Sequence, residues 1–363
     1  MQAFEMTAAE AAAAIRAGEV TSEELVRSCL ARIDELEPTV GAWAHLDPDL
    51  ALRQAAAADC ELLSGMSLGP LHGVPVGFKD IFDSKDRPTE NGTVLHAGRT
   101  PARDATAVAL LRQAGAVIMG KTVTAELAVY TPRKTSNPHD PERTPGGSSS
   151  GSAAAVAAQM VPLALGTQTN GSIIRPASYC CVCGYKPSFG LISRHRVLAQ
   201  SRLLDHVGLF ARSLADLALC AEPLMTYDAA DPDLRPRMSP ALNETLSQEP
   251  PMPPRLAFVR ASAWDEADAD VRDGFRELCA HLGDRVEEVA LTPPFEQAIG
   301  WHRTIMETDL AVSLDREYAR GVDKLSGRLR EMIERGRRHR AIDYKQAISQ
   351  SAVLRAELSG IFA

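Results

Sequence analysis

The sequence predicts an α/β protein folded as one domain. Three observations lead there. Continuous apolar runs at residues 74–81 and 116–120 have the character of strands covered on both faces. Capped segments with helical periodicity surround them. The two kinds of segment alternate along the 363 residues, without an internal repeat, and a chain this long can bury a sizeable core.

Residues 1–65 read as an N-terminal helical layer. Thr7-Ala8-Ala9-Glu10 and Thr21-Ser22-Glu23-Glu24 each fit a capping box, in which Thr and Glu satisfy each other's backbone N–H groups. In the second helix Leu25, Cys29 and Ile33 share a face, with Leu30 beside it. A third helix covers 48–63. Residues 66–225 form the core with the chemistry-bearing motifs, and a helix near 104–114 separates its first two strands. Residues 226–255, rich in Pro, Asp and Ser, read as a surface excursion. A strand (255–260), a helix (265–282) and a strand (286–291) then make a unit expected to return to the same sheet. Residues 256–363 would thus supply the second half of the core plus helices, 294–363 being mostly helical.

Composition narrows the function. The chain is 45% hydrophobic and 24% charged, as expected of an ordinary globular protein. A net charge of −8 disfavours nucleic acid or an anionic membrane as a partner. The longest low-polarity run, 153–166, is too short and too broken by Gln159 and Pro162 to span a bilayer. No N-terminal segment joins a basic region to an apolar one, and the seven cysteines are expected as reduced thiols in a cytoplasm. Cys180 and Cys183 have CxxC spacing, but no second pair or nearby His completes a metal site; an apolar strand before Gly184 is the expectation. The basic cluster Arg335, Arg337, Arg338, His339 and Arg340 reads as a solvated helix end, and His72 as a packed histidine.

The chemistry concentrates in three motifs. Residues 71–81 form an apolar run with Lys79 near its end. Residues 144–158 read Thr-Pro-Gly-Gly-Ser-Ser-Ser-Gly-Ser followed by an Ala-rich helix, and 166–177 read Gly-Thr-Gln-Thr-Asn-Gly-Ser-Ile-Ile-Arg-Pro-Ala. Small residues let backbone approach backbone and aim amide N–H groups at a ligand. A serine becomes a useful nucleophile only with a base in reach. Together the motifs resemble the amidase signature family, serine amide hydrolases with a Ser–cis-Ser–Lys triad. The resemblance runs from near Met6 to about Asp216, and more loosely beyond. It implies a central mixed sheet covered by helices, Lys79 as base, Ser148 as cis-serine relay and Ser172 as nucleophile. It implies an acyl-enzyme, a small-molecule amide as substrate, no cofactor and no metal; homodimer formation stays open. To serve as base, Lys79 must fall from about 10.4 to about 7 or 8, and the surrounding apolar run supplies the burial. A surface lysine paired with Asp80 is the plainer alternative.

The resemblance also implies an oxyanion hole of backbone N–H groups at Thr169, Asn170, Gly171 and Ser172. Asn170 stands where the family usually has Gly; Asn tolerates left-handed backbone, and its side chain could contact substrate. Gln168 is expected to brace the loop. Arg175, with Gly147 and Asn170, is the expected substrate-binding set. The pattern around Arg175 is similar to that of malonamidase-type members, which act on small carboxylated amides, so Arg175 would grip a carboxylate. A structural Arg paired with an acid at the sheet edge is the alternative. Residues 204–208, Leu-Asp-His-Val-Gly, are expected to wall the site without catalytic duty. Two further readings of the whole chain stand beside this one: the A-type glutaminase subunit of an amidotransferase, and a truncated, non-catalytic family member. In the family, further core strand and helix follow a point such as residue 363.

Gly147-Ser148-Ser149-Ser150-Gly151 also matches the GxSxG nucleophile elbow, with His281 or His302 to complete a triad. That motif needs a strand immediately before it, and the Pro-rich residues 137–145 do not read as one. No Gly-Lys-Ser/Thr follows the glycines, which excludes a P-loop.

Overall fold

The computed structural model describes residues 2–66 and 68–362. The chain divides into two compact units, Met1–Ser247 with Ser313–Glu331, and Gln248–Val312 with Met332–Ala363.

The first unit opens with α1 (Ala8–Ala17) and α2 (Ser22–Val40). Both capping boxes form: Thr7 and Thr21 accept from the N–H groups of Glu10 and Glu24, whose carboxylates accept in return. Strand β1 (Trp43–Leu46) and α3 (Pro48–Leu63) follow. Next come β2 (Pro75–Lys79), α4 (Thr106–Gln113) and β3 (Val117–Thr122). Every residue of β2 and β3 is buried, as the continuous apolar runs predict. After a long loop come α5 (Ser150–Ala157), β4 (Leu163–Gln168), α6 (Ile174–Tyr179), β5 (Cys183–Tyr185) and β6 (His206–Ala211). Helices α7 (Leu214–Leu224) and α8 (Leu242–Ser247) close the segment.

The six strands form one mixed sheet in the order β1-β3-β2-β4-β6-β5. Strand β2 runs parallel to both β3 and β4, while β1, β5 and β6 pair antiparallel with their neighbours. The fold class is the α/β mixed sheet that the sequence predicts. Its core gathers Ile15, Leu25 and Ile33 from the N-terminal helices, Phe78 and Ile118 from the sheet, and Leu224 from α7. Helix α5 lies close to the sheet because it is nearly all small residues. A Cβ on Gly151 would sit 2.2 Å from the Ala42 carbonyl oxygen and 2.3 Å from the Val123 nitrogen.

The second unit contains β7 (Leu256–Val259), α9 (Ala269–Leu282) and β8 (Val286–Val289). This is the strand–helix–strand unit expected to rejoin the main sheet. It does not: β7 and β8 pair with each other, in parallel, as a separate two-stranded sheet. Residues 256–363, read as completing the core, give the six-stranded sheet no strand among the described residues. The rest of the chain is helical, as expected: α10 (Ala298–Ser313) and α13 (Ala341–Ile361), with α11 (Asp315–Gly321) and the start of α12 (Gly327–Arg338) belonging to the first unit. The CxxC segment is another departure. Cys180 caps α6, Cys181 turns with φ 53°, and only Cys183 enters a strand. All seven cysteines are free thiols. The basic cluster ends α12 and finds acids, Arg335 on Glu307 and Arg340 on Asp343.

Candidate active site

Parallel neighbours β2 and β4 end at the same edge of the sheet, and the sequence motifs meet there. Lys79 is the last residue of β2 and has no exposed surface. Its Nζ donates to Ser148 Oγ at 2.8 Å and to Thr167 Oγ1, on β4, at 2.9 Å. The surface-lysine alternative is thereby removed. Asp80 pairs instead with the buried Lys121, at 3.1 Å. Burial pulls Lys79 down to about 7; a charge on Asp205 would oppose that shift, and Arg175 adds to it.

Ser148 is 2% exposed and lies in the loop before α5, and the Gly147–Ser148 peptide is cis. The neighbouring serines have structural tasks. Ser149 Oγ donates to the Thr167 carbonyl, and Ser152 Oγ to the Leu165 carbonyl at 2.8 Å, fastening α5 to β4. Gly146, at φ 75°, supplies the left-handed turn into the loop. Residues 136–149 contain turns and one isolated bridge, so the strand needed for a nucleophile elbow does not form.

Ser172 is 6% exposed, in the short connection from β4 to α6. Gln168 braces this connection: its Oε1 accepts from the N–H groups of Ile173 (2.9 Å) and Ile174 (3.0 Å). Asn170 is not among the residues at positive φ, so left-handed tolerance does not explain its presence. Its side-chain amide instead donates to the Tyr130 hydroxyl. Arg175 joins the two serine loops. Its Nε and Nη2 donate to the Gly147 carbonyl at 3.0 and 2.7 Å, and its Nη1 lies 3.3 Å from where a Cβ on Gly171 would sit. A carbonyl, not an acid of the sheet edge, holds the guanidinium.

A cavity of about 320 Å³ opens over this joint, lined by Tyr130, Gly146, Gly147, Ser150, Arg175 and Arg328, among others. Arg133 also lines it, and among the described residues no carboxylate does. The guanidinium of Arg328 stacks 4.6 Å from the Tyr130 ring centre. A second cavity, of about 310 Å³, is lined by Thr167, Thr169, Gln200, Asp205 and His206. Burial holds Asp205 above the usual carboxylate range and pushes His206 down to about 4. Thr167, Tyr130, Arg328 and the buried contacts of Asp205 were not singled out by the sequence. Only Asp205 carried a signal, its place in the 204–208 turn. His72 packs as expected, its Nε2 on the Ala58 carbonyl at 2.9 Å.

A buried amine hydrogen-bonded to one serine, with a second serine loop tied to the first through Arg175, supplies parts that acyl transfer requires. Comparison with known proteins agrees. The Amidase family model matches residues 24–360. The A subunit of the glutamyl-tRNA(Gln) amidotransferase of Chloroflexus aurantiacus (strain ATCC 29366 / DSM 635 / J-10-fl) is 43% identical over 248 residues, 67% of this chain and 51% of that protein. The chain thus spans about half the length of that curated relative. Among solved structures, a protein of a vestigial complex bearing on the origins of an s-triazine catabolic enzyme superposes with a TM-score of 0.91 at 28% identity. That match covers 98% of this chain and 79% of the other. A solved amidase gives 0.83 at 30% identity over 98% of this chain and 79% of its own. On the family match across nearly its whole length, the chain belongs to the amidase family, that of the amidase signature enzymes.

Proposed function

We propose that the chain carries a serine amidohydrolase centre that breaks the C–N bond of a carboxylated amide. Ser172 Oγ attacks the amide carbonyl while its proton passes through Ser148 to neutral Lys79. The backbone N–H groups of residues 169–172 hold the developing oxyanion. The proton returns through Ser148 to the leaving nitrogen, the C–N bond breaks and an acyl-enzyme remains on Ser172. Water, deprotonated along the same relay, then releases the acid. The observation that carries this reading is the buried Lys79 amine, drawn down to about 7 and hydrogen-bonded to Ser148 at 2.8 Å. A base poised near the working pH is what general-base catalysis needs.

The substrate reading rests on charge. Three guanidiniums and, among the described residues, no carboxylate line the cavity beside Gly147, which suits the carboxylate of a carboxylated amide. Glutamine carries such a carboxylate, with an α-ammonium beside it, and the curated relative is named as the A subunit of an amidotransferase. An A-type glutaminase subunit, passing ammonia to a partner, is therefore the first reading. A stand-alone amidase acting on a small carboxylated amide such as malonamate is the second, favoured by the position of Arg175 three residues past Ser172.

Ammonia release from glutamine, malonamate and propionamide distinguishes these. Both carboxylated amides should be turned over faster than propionamide, glutamine fastest. Ser172→Ala should lower release by at least about 10³-fold. Release that survives this substitution, or a preference for propionamide, overturns the reading.

A further inference from the structure

Behind the 169–172 loop, four polar groups stand in a row with too few protons. Asp205 Oδ2 accepts from the N–H groups of Gln200 (2.8 Å) and Ser201 (3.0 Å). Asp205 Oδ1 lies 2.6 Å from the Thr169 hydroxyl oxygen. The same hydroxyl lies 2.6 Å from Gln200 Oε1. Gln200 Nε2 in turn donates to the Leu127 carbonyl at 2.9 Å.

A threonine hydroxyl has one proton to give. It can serve Gln200 or Asp205, but not both. Turning the Gln200 amide over only moves the conflict, because its oxygen would then face the Leu127 carbonyl. In either orientation one oxygen–oxygen contact at hydrogen-bond distance lacks a proton; only in the first, where that contact is Asp205 Oδ1 against Thr169, can the carboxyl group supply it. A contact between two acceptors with no proton between them is unfavourable away from bulk water.

We infer that Asp205 is a neutral carboxylic acid in the folded protein at neutral pH, and that it acts as a positioning residue by sparing Lys79 a nearby negative charge. The Asp205 Oδ1–H donates to Thr169, Thr169 donates to Gln200, and Gln200 donates to Leu127, so the row is complete. It anchors the residue at the head of the proposed oxyanion loop to the 200–205 turn.

The charges around Asp205 are compatible with a neutral acid. Arg194 faces it from the preceding loop but is already paired with Asp231 and Asp233. Arg202, in the same turn, pairs with Asp233. His206, the next residue, is held well below neutrality by its own burial. Lys79 faces Asp205 from β2, and Arg175 adds its positive charge around Lys79. Asp205 is partly buried at the wall of the second cavity, and that burial favours its protonated form. Were it ionised, it would raise the pKa of Lys79 and leave less neutral amine at pH 7.

The second half of this inference rests on the proposed function; the first does not, and the test separates them. Carboxyl ¹³C NMR of the intact protein, labelled at aspartate and assigned by backbone connectivity, follows Asp205 without any turnover. Its resonance should stay at the protonated position through pH about 7; titration with ordinary carboxylates near pH 4 overturns the inference. In Asp205→Asn the side-chain amide can donate to Thr169 while its oxygen accepts from Gln200 and Ser201. The acid limb of kcat/KM in that variant should keep its pH midpoint within about 0.3 units. A midpoint displaced downward by about one unit or more would mean that wild-type Asp205 carries a charge, and would overturn the inference.

Discussion

Burying Lys79 at the end of β2 leaves its amine beside two hydroxyls, Ser148 and Thr167, and no carboxylate in contact among the described residues. Neither hydroxyl stabilises an ammonium as water would, so the neutral form gains. The sign of the pH dependence follows. Lys79 must be neutral to accept a proton, and the neutral fraction grows as pH rises through about 7. Below that midpoint kcat/KM should fall about tenfold per pH unit. A rate profile flat to about pH 5, or an acid limb near the ordinary lysine value of about 10, contradicts this assignment. At this scale the motifs made Lys79, Ser148, Ser172 and Arg175 legible, because each sits beside small or apolar residues with little other reason for their pattern. Thr167 and Asp205 were not legible as partners. Their contacts to Lys79 and Thr169 join positions 88 and 36 residues apart, and nothing local marks them. Asn170 shows a different failure: its backbone tolerance was the visible property, whereas its contact with Tyr130, 40 residues away, is what the fold uses.

Elements were legible where their pattern was long. Two capping boxes placed the starts of α1 and α2, and apolar runs placed β2 and β3. Helix α6 has six residues and a proline, and β5 has three, so neither offers a period to read. The unit β7–α9–β8 was recognised as strand, helix and strand, but its pairing partner depends on residues distant in sequence. Helix α5 supports a sharper test of packing against propensity. Alanine at position 151 would favour an isolated helix by about 1 kcal/mol over glycine. Here the added Cβ meets backbone of Ala42 and Val123 at 2.2 and 2.3 Å, and backbone cannot rotate away. Gly151→Ala should therefore destabilise the protein by about 2 kcal/mol or more in denaturant unfolding. An unchanged or raised midpoint would mean that α5 is not seated against the backbone of Ala42 and Val123 as described.

For the molecule as a whole, function depends on sheet order. Parallel β2 and β4 bring Lys79 and the Ser172 connection to one edge, and α5 brings in the loop of Ser148. The α/β class was legible from alternation, and the resemblance implied a mixed sheet; the order β1-β3-β2-β4-β6-β5 was not, since strand neighbours are chosen by the packed core. The central claim is that residues from three separate motifs form a single reactive centre in which Lys79 activates Ser172. The most direct measurement is covalent labelling by a fluorophosphonate, with the modified residue mapped by mass spectrometry. Labelling should fall on Ser172, disappear in Ser172→Ala, and slow by about 10²-fold or more in Lys79→Ala. A label on Ser149 or elsewhere, or a rate on Ser172 indifferent to Lys79, would contradict the account.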